Sequence, residues 1–157
     1  MESIFFDIRL IFAILNGKVS AAISRSLTDH FNEANVNLTP DQWTVLMHLD
    51  TQNSITQQDL CNAIFKHKPS MTRLIDTMEA KGLVSRREDK TDRRKKIVSL
   101  TGLGREVLDR SQKVAVITLR KALAGIPIED LRISQEVLKT IFKNTSDGKL
   151  LLDSEEH

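Results

Sequence analysis

Residues 68–101 read KPSMTRLIDTMEAKGLVSRREDKTDRRKKIVSLT. Met71, Leu74, Ile75 and Met78 recur at helical spacing and give one apolar face. Ser70, Thr72, Arg73, Asp76 and Thr77 fall off that face, toward solvent or a partner. Pro69 suits the first helical position, where a missing N–H costs nothing. Lys81 sits in the last turn, and Gly82 is expected as a left-handed cap. Leu83 to Arg87 and Lys96 to Leu100 then read as two short strands. Between them lies EDKTDRRK, too polar to bury and rich in turn formers.

Upstream, LTPDQW carries a helix start. Thr39 is the expected N-cap, Pro40 the first helical residue, and Gln42 completes a capping box, with Leu38 and Trp43 as its hydrophobic staple. The signal repeats at ITQQDL, where Thr56 caps and Asp59 complements the helix dipole. That helix should end near Phe65, about four residues before the next one opens, which is helix-turn-helix spacing. Many helical proteins hold two short capped helices in succession. A cationic hairpin directly afterwards narrows the shape to a winged helix, which sets a helix in a DNA major groove and the hairpin tip beside it.

The two ends of the chain read as long helices. Phe5, Ile8, Phe12, Leu15, Val19 and Ala22 are spaced three or four apart, and Ile23, Leu27 and Phe31 extend the seam. One helix from about residue 3 to 33 needs packing along that seam, internal or from a second chain. After Thr101, Leu103, Val107, Val114, Ile117 and Ala124 give a stripe, broken by Gly125 and Pro127. A last helix is expected over 128–143, with Leu131, Val137, Leu138, Ile141 and Phe142 available for burial, and Leu150 to Leu152 able to dock. The expected fold is mainly α with a small β-hairpin wing. A winged helix-turn-helix lobe spans 35–101, and a helical dimerisation region is built from 1–34 and 102–157.

Composition narrows the function. The net charge is only +2, but Lys81 to Lys96 holds eight cations and three anions. A local basic patch on a near-neutral chain is the footprint of a polyanion site, the bland alternative being a solvated turn. There is no Gly-rich phosphate loop, nucleophile elbow or His-Glu-x-x-His run, so no enzyme is expected. His30, His48, His67 and His157 show no ligand spacing, so neither metal nor cofactor is expected. Cys61, the only cysteine, reads as a small buried apolar residue. Asp7 and Arg9 interrupt the first apolar run and no cleavage site follows. We therefore expect neither a secretory signal nor a membrane span, and a cytoplasmic location.

DRRKKIVSLT, residues 92–101, resembles the Asp-x-Arg wing motif of the MarR family of bacterial transcription regulators. KPSMTRLIDTMEAKGLV, residues 68–84, resembles that family's recognition helix and the start of its wing. LTPDQWTVLMHL, residues 38–49, resembles its second helix. The resemblance implies a homodimer whose first and last helices interlock, with two winged lobes astride a palindromic operator. It also implies a small anionic or phenolic aromatic effector between the helical region and the lobe. Phe12, Leu15, Trp43, Met47 and His48 are candidate pocket walls, or ordinary core.

On this reading, the helix from Pro69 is about 20 Å long, a fit for a major groove. Arg73 is the expected base reader, by bidentate pairing with guanine. Ser70 and Thr72 are placed to reach phosphate or a base edge, and Thr77 a thymine methyl. Lys66, His67 and Lys68 would touch backbone at the entry. Arg94 matches the family's minor-groove arginine. Arg86, Arg93, Lys95 and Lys96 would supply phosphate contacts. Asp92, an acid in a DNA-facing loop, would fix either the arginine or the turn. The competing reading is a winged helix that binds protein instead, against which the cationic wing argues.

Overall fold

The computed structural model describes residues 2–64 and 66–145, with side chains from residue 10 onward. The expectations for the side chains of Phe5 and Ile8, and for Leu150 to Leu152, lie outside that range. α1 (Glu2–Glu33) is the single long helix its seam predicts. α2 (Pro40–Gln52) opens on the capping box. Thr39 Oγ1 accepts the Gln42 N–H and Gln42 Oε1 accepts the Thr39 N–H, each at 3.2 Å. Two donors that a helix start leaves unpaired are thereby satisfied. α3 (Gln57–Ala63) starts at Thr56, whose hydroxyl oxygen accepts the Asp59 N–H at 3.0 Å.

α4 (Lys68–Ala80) begins one residue before Pro69. Gly82 follows at φ +71°, a conformation that favours glycine. The chain reverses there into β2 (Val84–Glu88) and, past the hairpin tip, β3 (Lys96–Leu100). The sheet has a third strand that the sequence reading lacks. β1 (Ser54–Thr56) pairs antiparallel with β3, Ile55 opposite Val98, to give the order β1-β3-β2. Three residues are too few for alternation to register, and Thr56 carries the stronger signal of a helix cap.

The core lies under α4. Met71, Ile75 and Met78 are fully buried with Leu46, Leu49, Leu60 and Val98. Each such side chain contributes roughly 1.5–3 kcal/mol by leaving water. Phe31 joins the same core and meets Trp43 edge-on, ring centroids 6.1 Å apart.

α5 (Gly102–Ala122) packs against α1 and α2 on a face that takes only part of the expected stripe, with Val107 and Val114 against the core. Its buried residues are Gly104, Leu108, Ser111, Ala115 and Thr118, while Leu103 and Ile117 are exposed. The reason is close approach. Leu83 crosses so near that a Cβ on Gly104 would lie 2.0 Å from its carbonyl oxygen. Small residues continue the seam, and Thr118 Oγ1 meets His30 Nδ1 of α1 at 2.7 Å. Leu103, Val116 and Ile117 are left on α5's outer faces.

α6 (Ile128–Thr145) has no buried residue, and Ile133 and Val137 are 64% and 42% exposed. Much of α1 is equally bare, with Leu10, Ile11, Ile14, Leu15 and Val19 exposed. Over Leu10–Glu33 that helix is long and apolar enough to cross a bilayer by length and composition. Asp7 and Arg9 precede that stretch, and Lys18, Arg25, Asp29 and Glu33 lie within it.

Gly104 gives a test of the packing. Alanine gains about 1 kcal/mol over glycine inside a helix. Overpacking against backbone costs more, typically 1–3 kcal/mol, and the clash with a carbonyl is at the severe end. Gly104→Ala should therefore lower Tm by roughly 2–8 °C in a thermal melt at fixed protein concentration. An unchanged or raised Tm would contradict the close approach.

Candidate nucleic-acid interface

The buried face of α4 decides what its other faces present. With Met71, Ile75 and Met78 inward, Ser70, Arg73, Asp76 and Thr77 are exposed. Arg73 makes no ion pair among the described residues, and the Thr77 hydroxyl donates to its carbonyl at 2.9 Å, leaving the methyl outward. His67 is the N-cap of α4 and makes no side-chain capping bond. The first-turn amides, with the positive end of the helix dipole, thus stay available to an anion.

The wing tip is shaped by two acids. Asp89 Oδ1 accepts the N–H groups of Thr91 at 2.7 Å and Asp92 at 3.0 Å, and the Thr91 hydroxyl as well. Those bonds, the Thr91 hydroxyl first, hold the Asp89 carboxyl below its ordinary pKa. Asp92 Oδ1 accepts the Arg94 N–H at 3.1 Å, and its carbonyl accepts the Lys95 N–H at 2.9 Å. Of the two roles expected for Asp92, holding the turn is the one observed, through the backbone of Arg94. Asp89 is the residue sequence reasoning missed. Its spacing from Thr91, an acid two residues before a hydroxyl in a polar turn, is the signal that was there to read.

A groove of about 280 Å³ joins the wing to the helix-turn-helix. Lys68 and Met71 of α4 line it with Arg94, Lys95 and Lys96 of the wing and Gln57 and Cys61 of α3. Four cations from two separate elements therefore share one surface. Arg93 and Arg94 are exposed and make no ion pair among the described residues. Lys96 pairs with Glu88 at 2.9 Å, but both are about half exposed and such pairs are weak.

Three expected contact residues are engaged within the chain. Lys66 pairs with Asp41 of α2 at 2.6 Å and is only 26% exposed, so it braces the entry to α4 instead of facing outward. The Thr72 hydroxyl donates to the Lys68 carbonyl and accepts from Gln57 Nε2, a bracket between α3 and α4. Arg86 is turned away from the outer surface by Asp76 and Glu79, at 2.6 and 2.7 Å. In each case, reading by face or alternation has no view of the partner that captures the side chain.

Of the candidate pocket walls, Phe12 and Leu15 lie on the bare part of α1, and Trp43, Met47 and His48 are half-buried on α2. Burial pushes the His48 pKa down. The indole N–H of Trp43 is buried without a hydrogen-bond partner among the described residues. Cys61 is buried, as expected, and its thiol donates to the Lys66 carbonyl.

A family model described as the MarR family matches residues 36–95. YdgJ of Bacillus subtilis, described as an uncharacterized HTH-type transcriptional regulator, is 33% identical over 104 residues, 66% of this chain and 62% of that protein. Over residues 36–95 the chain is similar to the MarR family. It spans less than two thirds of the length of that curated relative. Among solved structures, the transcriptional regulator BldR of Sulfolobus solfataricus is 25% identical, with a TM-score of 0.80 over 88% of this chain and 97% of that one. A mutant MarR from E. coli, solved in complex with operator DNA, is 20% identical, with a TM-score of 0.77 over 87% and 96%. YdgJ and BldR are both described as transcriptional regulators.

The wing and α4 generate three tests. Arg94→Ala should weaken binding to a preferred duplex about tenfold or more, the scale of one good charged contact, while Arg73→Ala should flatten sequence preference more than it lowers nonspecific affinity. Anisotropy titrations on matched and scrambled duplexes check both, and unchanged affinity in Arg94→Ala would refute the wing assignment. Because the folded pKa of Asp89 is depressed, its contribution is complete above the ordinary aspartate range and lost as pH falls through the folded value. Protection of the Thr91 and Asp92 amides should hold from neutral pH into mild acid and collapse only in strong acid. In Asp89→Ala it should be absent already at neutral pH.

Proposed function

We propose that this chain is a sequence-specific, DNA-binding transcriptional regulator of the MarR family, acting in the cytoplasm as a homodimeric, ligand-responsive repressor on a palindromic operator. The observation that carries it is the shared groove: the start of α4 and the wing contribute Lys68, Arg94, Lys95 and Lys96 to one surface. Arg73, Ser70 and Thr77 stand exposed on the adjoining face of α4. His67, Lys68, Arg93, Arg94, Lys95 and Lys96 are the backbone and minor-groove contacts of this reading, and Arg73 with Thr77 its base readers. A wing that served only to bind protein would not need so many cations on one edge. The MarR solved with operator DNA shares the fold and supports the same choice.

The dimer is argued from what the single chain leaves uncovered. Ile133, Val137 and Ile141 form an open apolar groove on α6, and α1 offers Leu10 to Val19 beside it in composition. A surface of that kind needs a partner. We divide the chain accordingly, into a winged lobe over 35–101 and a dimerisation region over 1–34 and 102–157. Two recognition helices would then read half-sites roughly one turn, about 10 bp, apart. An aromatic effector is supported by the unpaired Trp43 N–H, since leaving such a donor buried costs about 1–3 kcal/mol that an acceptor would recover. Trp43 is the only tryptophan, so quenching of its fluorescence by a panel of hydroxybenzoates reports that contact directly.

The central test is selection of bound fragments from genomic DNA by the purified protein, followed by titration of the enriched duplex across a salt series. An inverted repeat, with affinity falling steeply as salt rises, is the expected result. Ile133→Glu with Val137→Glu should give a monomer by light scattering and lose operator affinity by about a hundredfold, the scale set by losing one of two linked sites. A wild-type protein that is monomeric, or that partitions into lipid vesicles instead of pairing, would overturn the dimer.

A further inference from the structure

The angle between α4 and the wing is set across a short turn, Lys81 to Leu83, whose middle residue is the left-handed Gly82. A glycine turn is a soft joint. Arg86 bridges it. Its backbone N–H donates to Glu79 Oε1 at 3.1 Å, and its Nε and Nη2 donate to Glu79 Oε2 at 3.0 and 2.7 Å. The same Nη2 reaches Asp76 Oδ1 at 2.6 Å. Both Glu79 oxygens and one from Asp76 are thus held by a single residue of β2.

We infer that Arg86 is a positioning residue, clamping the second half of α4 to the first wing strand so that Arg73 and Arg94 meet DNA at a fixed spacing without Arg86 touching it. The inference rests on the DNA-binding reading above and adds to it a residue that acts through others. Three features support it. The guanidinium is only 25% exposed, against about half for the side chain of Lys96. The pairing is mutual, since Arg86 holds the Glu79 carboxyl below its ordinary pKa and Glu79 raises the guanidinium's. Finally, Asp76 and Glu79 are acids on or beside a face that meets phosphate, and Arg86 is the cation that offsets them.

A phosphate contact and a clamp predict opposite signs. Glu79→Gln deletes a negative charge near DNA. If Arg86 were a phosphate contact, that change would free it and tighten binding to every duplex. If it is a clamp, binding to the preferred duplex weakens while binding to a scrambled one holds or rises. The experiment uses full-length dimer, wild type, Glu79→Gln, Arg86→Ala and Arg93→Ala, with the duplex most enriched by selection and its scrambled counterpart. For Glu79→Gln we expect about a fivefold loss on the preferred duplex, modest because the pair is partly screened. For Arg86→Ala the salt slope should stay at the wild-type value while affinity falls, whereas Arg93→Ala should lower the slope by about 0.9 per site. Tighter binding by Glu79→Gln, or a slope drop in Arg86→Ala like that of Arg93→Ala, overturns the clamp. Hydrogen exchange without DNA keeps the two readings apart. Faster exchange over 84–100 in Glu79→Gln, with an unchanged melt, is the signature of a loosened joint. Unchanged exchange there defeats the clamp even if the protein binds DNA, and a wild type that binds no duplex defeats the DNA reading even if exchange rises.

Discussion

Three methionine and isoleucine side chains fix which way α4 faces. Met71, Ile75 and Met78 have no exposed surface. A roll of α4 by one residue, about 100°, would lift them into water and drive Thr72, Asp76 and Glu79 toward the core. The loss is several kcal/mol of apolar burial before the charged groups are counted, and burying an unpaired carboxylate costs more still. So the outward set, Ser70, Arg73 and Thr77, is selected by what lies beneath it. Lys66 on Asp41, and Lys81 on the Asn37 carbonyl and Gln42, then pin the two ends of the helix to the start of α2.

The lobe and the ends of the chain differ in how complete they are. Within residues 35–101, the N-caps of α2 and α3 are paired, the sheet is three strands wide, and the helices cover its apolar face. At the ends, α6 has no fully buried residue and residues 10–20 of α1 are exposed. Chain entropy favours melting an 18-residue helix that has no fully buried residue, because isolated helices of that length are marginal in water. The apolar stripe along α6 therefore has a physical meaning only with a surface laid against it. α5 is the rod between the two regions, its Gly104 end locked under Leu83 and its Thr118 end against His30.

Legibility in the sequence followed the range of the interaction. Caps, the glycine turn and the α4 face depend on neighbours a few residues away, and Thr39, Thr56, Gly82 and Met71 announced them. The wing was equally plain, because its charge leaves it no interior to enter. The α5 seam is half legible: Val107 and Val114 pack on the core as their spacing predicts, while Gly104, Ser111, Ala115 and Thr118 take buried positions because Leu83 and α1 approach closely. β1 was missed because its pairing partner, Ser99 to Ile97, lies more than forty residues on. Lys66, Thr72 and Arg86 were assigned outward since period gives direction and not partners. At each of these positions the decisive atom belongs to another element.

The acids of the wing make sense once their partners are counted. Glu88 is paired with Lys96, Asp89 is capped by the amides and hydroxyl of residues 91 and 92, and Asp92 accepts from the Arg94 amide. Asp89 and Asp92 are spent on hydrogen bonds to backbone amides that give the loop its shape, and Glu88 on an exposed pair with Lys96. The cations between them, Lys90, Arg93 and Arg94, have no ion-pair partner among the described residues. Beyond a Debye length of about 8 Å an approaching polyanion feels little of either sign. Within it, the nearest groups are guanidinium and ammonium ends projecting from a tip whose carboxylates point back into the turn. A loop of lysine and arginine alone would carry more charge, but its own repulsion would splay it. The acids trade a little net attraction for a fixed direction, and direction is what insertion into a narrow groove requires.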